Sequence, residues 1–213
     1  MPYGFLDALT GSEVAKAQAE HGSRHIYESS RHDRSFDRFT AAEAAFIAGR
    51  DSFYIASIAE TGWPYVQHRG GPKGFLKMLD DRTLAFLDFR GNRQYITLGN
   101  TRANKRVALI LMDYANRRRL KILANLETRD LNEDPALAAQ LALPGYRGRP
   151  ERAMVLHLDS FDWNCPQHIT PRFTSEEIEG AMASLNEQFA TLQAENRALR
   201  QEISTLRTSG DML

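Results

Sequence analysis

The chain has 213 residues, of which 42% are hydrophobic, so it can bury one ordinary core and still have length left for terminal elements. Its 27 basic residues balance its 27 acidic residues, which excludes an overall field that would attract nucleic acid or anionic lipid. A single cysteine excludes an internal disulfide framework and, with no signal peptide or apolar span expected, indicates a cytoplasmic protein.

The N-terminal segment is predicted to form an arm with short helices. Residues 11–20 suit a short helix, and a polar segment rich in histidine, arginine, serine and aspartate follows. Next, Thr40 and Glu43 have the spacing of a capping box, an alanine-rich turn follows them, and Gly49 stands where a helix should end. This combination predicts a second helix over residues 40–48.

Short strand-like runs dominate the middle of the chain. The predicted strands are residues 52–59, 64–69, 75–79, 83–89, 106–114 and 118–127, with a returning strand at 153–161. Short turn-forming loops separate several of them, which favours antiparallel hairpins. The run Val107 to Met112 is apolar on both strand faces, so both faces should be covered, as in a barrel wall that also faces a helix or a second subunit. Helices are expected at residues 93–99, capped by Asn92, and at residues 135–142.

These spacings predict a mainly β fold with flanking helices, in which six antiparallel strands form a closed or partly closed barrel. Two basic loops that contain glycine interrupt the strands, at residues 68–71 (His-Arg-Gly-Gly) and 90–94 (Arg-Gly-Asn-Arg-Gln). Arginine offers a fork of donors that suits phosphate, glycine lets a ligand approach the backbone, and Asn92 can begin a helix whose first amides point outward. The loops therefore indicate a phosphorylated cofactor.

A heptad pattern fills the C-terminal segment from Ile178 onward. Position d holds Leu185, Leu192, Leu199 and Leu206, and position a holds Met182, Phe189, Asn196 and Ile203. A lone asparagine at a is typical of a parallel two-stranded coiled coil, while the alternative is one amphipathic helix on its own domain. Residues 162–180 lack the basic helix of a DNA-binding zipper protein. The expected domains are an N-terminal arm with helices (1–49), a barrel (50–172) and a coiled-coil helix (173–213).

Three runs resemble the pyridoxamine 5'-phosphate oxidase-related FMN-binding proteins, at residues 62–72, 84–94 and 104–110. A bacterial subgroup of that family also carries the Trp-Asn-Cys-Pro-Gln-His segment found here at residues 163–168. The resemblance covers about residues 50–165. It implies an FMN-binding split β-barrel homodimer with a cofactor in each of two clefts at the subunit interface. It also implies an FMN-dependent oxidoreductase acting on an unknown small molecule.

The resemblance also implies which residues bind the cofactor. The strand residues beside the isoalloxazine ring and ribityl chain are Gln67, His68, Arg69 and Gly70; the cleft continues through Leu87, Asp88 and Phe89; and the phosphate is held by Asn92, Arg93 and Gln94. Apart from these positions, Trp163 is a candidate to stack near the flavin ring, and Asn164 and Gln167 are candidates to hydrogen-bond a flavin edge or only to satisfy the loop backbone. Gln94 and Gln67 stand where the oxidase usually has lysine and arginine, so two phosphate-binding charges are missing. Arg69, Lys73 or Arg90 are the candidates to compensate.

Several of these residues have a simpler reading that the sequence leaves open. Arg69 can pair with a carboxylate such as Asp88, Trp163 can pack in the core, and His68 can be a structural residue. No catalytic side chain and no metal site is predicted. Because no proton-transfer residue stands out, the alternative to an oxidoreductase is a non-enzymatic protein that binds or senses flavin or another planar cofactor.

Overall fold

The computed structural model describes residues 4–29, 36–163 and 166–210, and the chain divides into two compact units, Met1–Ile169 and Thr170–Leu213. Helices and strands follow one another as α1 (Gly4–Leu9), α2 (Ser12–Glu20), α3 (Arg24–Ser29), α4 (Ala41–Ala48), β1 (Ser52–Ile58), β2 (Pro64–Gly70), β3 (Lys77–Asp80), β4 (Thr83–Phe89), α5 (Ile96–Ala103), β5 (Arg106–Asp113), β6 (Arg118–Arg129), α6 (Pro135–Leu141), β7 (Pro150–Trp163) and α7 (Ser175–Gly210).

All seven strands belong to one antiparallel sheet, in the order β2-β1-β5-β6-β7-β4-β3. The predicted antiparallel β-rich fold is therefore confirmed, but the sheet has seven strands, not six. The difference is the returning strand, β7, which pairs with β6 along one side and with β4 along the other. Within the described residues no ladder joins β2 to β3, so the sheet is not closed into a complete barrel.

The main core packs aromatic and aliphatic side chains against one face of the sheet. Phe53, Phe75 and Phe86 pack on one another with ring centroids 5.2–6.4 Å apart, and Phe161 packs on Phe39. A second, smaller cluster lies between α6 and the opposite face of β4 and β7. Strand alternation divides β4 between the two clusters, since successive side chains point to opposite faces.

One outward sheet face is only partly covered within the protomer. Along β5, Val107, Leu109 and Leu111 are buried, whereas the intervening side chains are half-buried. The neighbouring strands add Ile58, 42% exposed, and Val66, 60% exposed, to the same region of apolar surface. The prediction that both faces of β5 are covered is thus confirmed for the face that points into the core. The other face is only partly covered in the described protomer.

Local signals account for most of the helices. At α4 both halves of the capping box are present, because Thr40 accepts from the helix backbone and the Glu43 carboxylate accepts from the Thr40 amide at 2.8 Å. Helices α2 and α6 lie where the sequence predicted helices. The short helices α1 and α3 were not predicted, and α1 buries Phe5.

Helix α7 is a single run of 36 residues. All of its residues whose burial is described, up to residue 205, are exposed. None of the helices in the described ranges is both long and apolar enough to cross a membrane.

Candidate functional site

A cleft of about 200 Å³ opens where β2 and β4 end, and we call it the β2–β4 cleft. Its walls come from five segments of the chain: Tyr65, Gln67 and Arg69 of β2; Asp88 and Phe89 of β4; the loop residues Gly91 to Tyr95; Ile96, Thr97 and Leu98 of α5; and Glu151 of β7. The two basic loops singled out in the sequence therefore contribute to one cavity.

A carboxylate shared by two arginines closes the inner end of the cleft. Asp88 is only 7% exposed and accepts from Arg69 Nη1 at 2.7 Å and from Arg152 Nη1 at 2.9 Å. Each guanidinium thus meets one carboxylate oxygen. The pairing of Arg69 with Asp88 confirms the structural alternative for Arg69, so part of its charge is already neutralised within the protein.

Glu151 organises the outer wall beside this pair. One of its oxygens accepts from the Tyr95 hydroxyl at 3.2 Å and lies 3.9 Å from Arg90 Nε, and the other accepts from Arg152 Nη2 at 3.2 Å. The Arg152 guanidinium also lies 5.2 Å from the centroid of the Tyr95 ring. Two carboxylates therefore hold three arginines in fixed places along the cleft.

The loop that precedes α5 has an unusual backbone. Arg93 and Tyr95 adopt the left-handed conformation, with φ of 63° and 52°. Residues other than glycine seldom adopt this conformation, which costs about 1–3 kcal/mol at each position and is concentrated at functional sites. Asn92 stabilises the turn between them, because its side-chain oxygen accepts from the Gln94 amide at 3.1 Å.

The prediction that Asn92 caps a helix starting at Arg93 is wrong. Helix α5 begins at Ile96, and the residue before it is the left-handed Tyr95, which makes no side-chain cap. Asn92 does bind a backbone amide two residues later, as a capping residue would, but this amide belongs to a turn that precedes the helix. The first residues of α5, Ile96 to Leu98, still line the cleft, and the first four amides of a helix have no intrahelical acceptor.

Three side chains in the cleft retain donors without acceptors among the described residues. Arg69 Nε is buried and has no hydrogen-bond partner, although its Nη1 binds Asp88. Arg93 is exposed and makes no hydrogen bond or ion pair with any residue that the structure describes. Gln67 is held by its oxygen, which accepts from Thr97 Oγ1 at 3.0 Å and from the Tyr65 hydroxyl at 3.3 Å, and its amide nitrogen is left to donate.

Seven of the thirteen residues predicted to bind the cofactor meet in this cleft. They are Gln67, Arg69, Asp88, Phe89, Asn92, Arg93 and Gln94. Their cofactor-binding role stays a prediction, but their proximity does not depend on it.

Three predicted residues do not line the cleft because strands alternate their side chains. His68 and Gly70 lie on the outward face of β2, where the His68 ring contacts Tyr54 at a centroid distance of 5.5 Å. Leu87 is buried in the smaller cluster against α6, on the face opposite to Asp88. Leu87 therefore packs within the protomer, and its predicted contact with a cofactor stays a prediction.

The predicted flavin-edge residues also lie elsewhere. Trp163 packs against Phe46 at a centroid distance of 4.8 Å, and its indole nitrogen donates to Glu43 at 2.7 Å. The alternative that Trp163 is a core residue is thus supported. Trp163 and Glu151 lie near opposite ends of β7, roughly 40 Å apart along the strand. One end of β7 therefore lines the cleft, while the other packs against α4. Gln167 is exposed and outside the cleft lining, and Asn164 lies outside the described residues.

Several residues of the cleft were not predicted from the sequence. Thr97, Tyr95 and Glu151 were missed, and the first two follow from the misplaced start of α5. Glu151 enters the cleft because β7 pairs with β4 in a register that places Arg152 opposite Asp88. The one available signal was the Glu-Arg pair at the start of the returning strand.

The cleft contains no group suited to proton transfer that is free of a partner in the described part of the chain. Asp88 and Glu151 accept from arginines, and the Tyr95 hydroxyl donates to Glu151. Among the described residues no cluster of three or more histidine, cysteine, aspartate or glutamate side chains could hold a metal ion. What the cleft offers chemically is a set of fixed donors for an anion or for carbonyl oxygens.

No curated protein matches the sequence. A candidate pyridoxamine 5'-phosphate oxidase from Lactobacillus delbrueckii aligns at 19% identity over 59% of this chain and 94% of its own, with a TM-score of 0.46. A Clostridium acetobutylicum protein related to general stress protein 26 aligns at 14% identity over 64% and 94%, with a TM-score of 0.45. An F420 reductase aligns at 19% identity over 55% and 93%, with a TM-score of 0.40.

The family comparison is more informative than these distant structural likenesses. The model of the pyridoxamine 5'-phosphate oxidase family matches residues 39–155, which is more than half of the chain. The matched range begins just before α4 and ends within β7, so it contains every residue that lines the β2–β4 cleft. The chain therefore belongs to the pyridoxamine 5'-phosphate oxidase family.

Proposed function

We propose that the protein is a cytoplasmic FMN-dependent oxidoreductase that binds the FMN phosphate in the β2–β4 cleft and acts on a small molecule. One observation carries the proposal: Arg93 has no partner among the described residues and shares a cleft with the first residues of α5, a helix start without a side-chain cap. Fixed cationic and amide donors at a helix start are the usual means of binding a phosphate group.

The residues of the cleft fit this cofactor. A phosphate oxygen would supply acceptors for Arg93 and for the amides of Ile96 and Thr97, while the buried Arg69 Nε lacks an acceptor for its proton. The Gln67 amide nitrogen is a further donor for a ribityl hydroxyl or a ring carbonyl. The two charges that the family usually supplies by lysine and arginine would here be supplied by Arg69 and Arg90, two of the candidates named from the sequence, which lie beside Asp88 and Glu151.

The polar contacts indicate which steps belong to the cofactor and which to the protein. When bound, FMN would accept or donate a hydride at its isoalloxazine ring. The protein binds the phosphate, orients the ribityl chain through donors of fixed position, and leaves both carboxylates paired with arginines. A small substrate would therefore react with the cofactor without an obligatory acid or base from the cleft.

The experiment that tests this proposal compares FMN with riboflavin, which lacks the phosphate. Wild-type protein should bind FMN more tightly than riboflavin, and Arg93→Ala should weaken FMN binding by about 10- to 100-fold while leaving riboflavin binding unchanged. Flavin fluorescence quenching or calorimetry measures both constants. Arg93 is exposed, so the unfolding midpoint should change little.

Arg117→Ala is the matched control for that experiment. Arg117 is also an exposed arginine in the left-handed conformation, with φ of 54°, but it lies in the turn between β5 and β6. Its removal should affect neither flavin. Equal weakening of FMN and riboflavin by Arg93→Ala would refute the phosphate contact, and absence of any bound flavin in the wild type would refute the proposal.

We also propose a homodimer that completes the cofactor site. A volume of about 200 Å³ is below the roughly 300–1,000 Å³ of most ligand pockets, so one protomer leaves room for the phosphate end but not for the ring. The outward face of β1, β2 and β5 offers an apolar surface for a second subunit, with Val66 at its edge and a second cavity of about 560 Å³ beneath α1. His68 would then lie at the interface.

A charge placed on this face should break the dimer. Val66→Asp is expected to raise the dimer dissociation constant at least about tenfold, because burying an unpaired carboxylate costs several kcal/mol. Sedimentation velocity over a dilution series measures the effect. Val14→Asp, an exposed valine on α2, is the control and should leave the dissociation constant unchanged. A dimer unaffected by Val66→Asp would contradict this choice of interface.

A non-enzymatic flavin-binding protein is the second candidate. The observation in its favour is that Asp88, Glu151 and Tyr95 are all engaged, so the cleft has no unpaired group for proton transfer among the described residues. Turnover of NAD(P)H or of a reducible dye by the flavin-loaded protein would decide for the oxidoreductase. Stable flavin binding without turnover of any donor or acceptor would decide for the binding protein.

A further inference from the structure

Helix α7 carries an apolar stripe whose described side chains are exposed. Seven large apolar side chains along it are between 42% and 62% exposed: Ile178, Met182, Leu185, Phe189, Leu192, Leu199 and Ile203. They recur at alternating spacings of four and three residues, except that Asn196 takes the place of one apolar residue. A seam of this width, two positions in seven, is that of a coiled coil rather than of a helix lying on a globular core.

The charged residues beside the stripe specify a partner. Glu195 and Glu202 occupy position g of the heptad, and Arg200 and Arg207 occupy position e. In a parallel pair, g of one helix faces e of the next heptad on the other helix, so both glutamates meet arginines. In an antiparallel pair, g faces g and e faces e, so like charges would meet instead. The charge pattern is thus complementary to a second copy of the same helix in the parallel direction.

We propose that α7 pairs with α7 of a second copy of this chain as a parallel, in-register, two-stranded coiled coil. Leucine fills position d through four successive heptads, and the single asparagine at position a is the feature that specifies two strands. Asn196 at position a fixes the register, because its amide finds a hydrogen-bonding partner only when the same residue lies opposite. This pairing does not depend on cofactor binding. It would join two subunits through the 36-residue helix α7, in addition to the proposed contact through the sheet face.

Disulfide trapping in the full-length protein tests both the pairing and its direction. Cys165 is the only cysteine, so Cys165→Ser gives a background without thiols. Leu185→Cys and Leu199→Cys then place one thiol each at position d, where the Cα atoms of a parallel in-register pair come within disulfide distance. Both variants should form covalent dimers under mild oxidation. Ala194→Cys, on the outer position f of the same helix, should not.

Each outcome decides the proposal. Cross-linking at residues 185 and 199 together supports a parallel register, since an antiparallel pair could bring at most one of these positions opposite itself. Cross-linking at only one of them, or equally at position 194, would overturn it. Failure of both d-position variants, with α-helix content retained by circular dichroism, would show that α7 does not pair with a second copy.

A second substitution separates the seam from chance collisions. Leu192→Glu, added to Cys165→Ser and Leu199→Cys, places a charge in the centre of the stripe and should abolish the cross-link at residue 199. Glu187→Gln in the same background changes only the outer position f and should leave it intact. Cross-linking that persists with Leu192→Glu would refute a hydrophobic seam as its cause.

Discussion

Asp88→Asn is expected to lower the free energy of unfolding by about 2–4 kcal/mol, measured by urea denaturation at neutral pH. The Asp88 carboxylate is 7% exposed and is the common acceptor for Arg69 and Arg152, whose side chains are 17% and 20% exposed. Removing one partner of a buried pair leaves the other charge without compensation, which costs more than the intact pair contributes. Here Arg69 loses its only carboxylate partner, and Arg152 keeps only Glu151.

The matched control is Asp81→Asn, the same chemical change at an exposed ion pair. Asp81 meets Arg38 at 2.8 Å, but both side chains are more than half exposed. Water already solvates and screens such a pair, so the unfolding midpoint should change by only a small fraction of the Asp88→Asn effect. Similar losses for the two variants would show that the burial of Asp88 does not matter.

Phosphate should restore part of the stability that Asp88→Asn removes. Without the carboxylate, Arg69 and Arg152 become donors for an added anion, and a ligand that binds only the folded state stabilises it. The variant should therefore gain more stability than the wild type when sodium phosphate replaces sodium chloride at equal ionic strength. A gain no larger than that of the wild type would contradict the idea that Asp88 occupies arginines otherwise suited to anions.

The arginines of the cleft differ in whether a carboxylate of the protein already binds them. Four arginines and two carboxylates line or adjoin it, and three of the arginines are held by Asp88 and Glu151. Arg93 is the arginine on the left-handed loop, and it alone in this group lacks a carboxylate partner among the described residues. Asp88 and Glu151 thus hold the other three arginines in the wall of the cleft, while the Arg93 guanidinium is available to bind a ligand.

Local sequence signals predicted the elements that depend only on neighbouring residues. The capping box at Thr40 correctly gave α4, and the alternating apolar runs gave the strands, because each pattern is contained within one turn or one strand. The start of α5 could not be predicted in this way. Its position depends on a left-handed Tyr95, which sequence preferences disfavour for a residue other than glycine.

The missed part of the site depends on contacts that are distant in sequence. Glu151 and Arg152 reach the cleft because β7 pairs with β4 across more than 60 residues, and the sequence near residue 150 does not encode that register. By contrast, the family resemblance correctly predicted that Arg69 and the loop from Gly91 to Gln94 lie in one cleft. A likeness of motifs thus identified the cleft, whereas the placement of individual side chains required the strand register.

The corrected position of Trp163 leads to a prediction about the opposite end of the sheet. Glu43 is completely buried; one of its oxygens accepts from the Thr40 amide and hydroxyl, and the other from the Trp163 indole nitrogen. A single carboxylate therefore caps α4 and joins it to the end of β7. Glu43→Ala should cost about 3–4 kcal/mol of unfolding free energy, because it leaves buried donors without acceptors.

A double-mutant cycle isolates the contact between the helix and the strand. Glu43→Gln and Trp163→Phe each remove part of the contact, and their combined effect should be smaller than the sum of the separate effects by about 1–2 kcal/mol. Trp163 also contacts Phe46 and Arg118, and the cycle subtracts those packing losses because they occur with either residue at position 43. Strict additivity would contradict a direct Glu43–Trp163 bond. FMN affinity measured on the same variants should stay near that of the wild type, since Trp163 lies outside the β2–β4 cleft; a large loss of FMN binding by Trp163→Phe would instead return this tryptophan to the cofactor site.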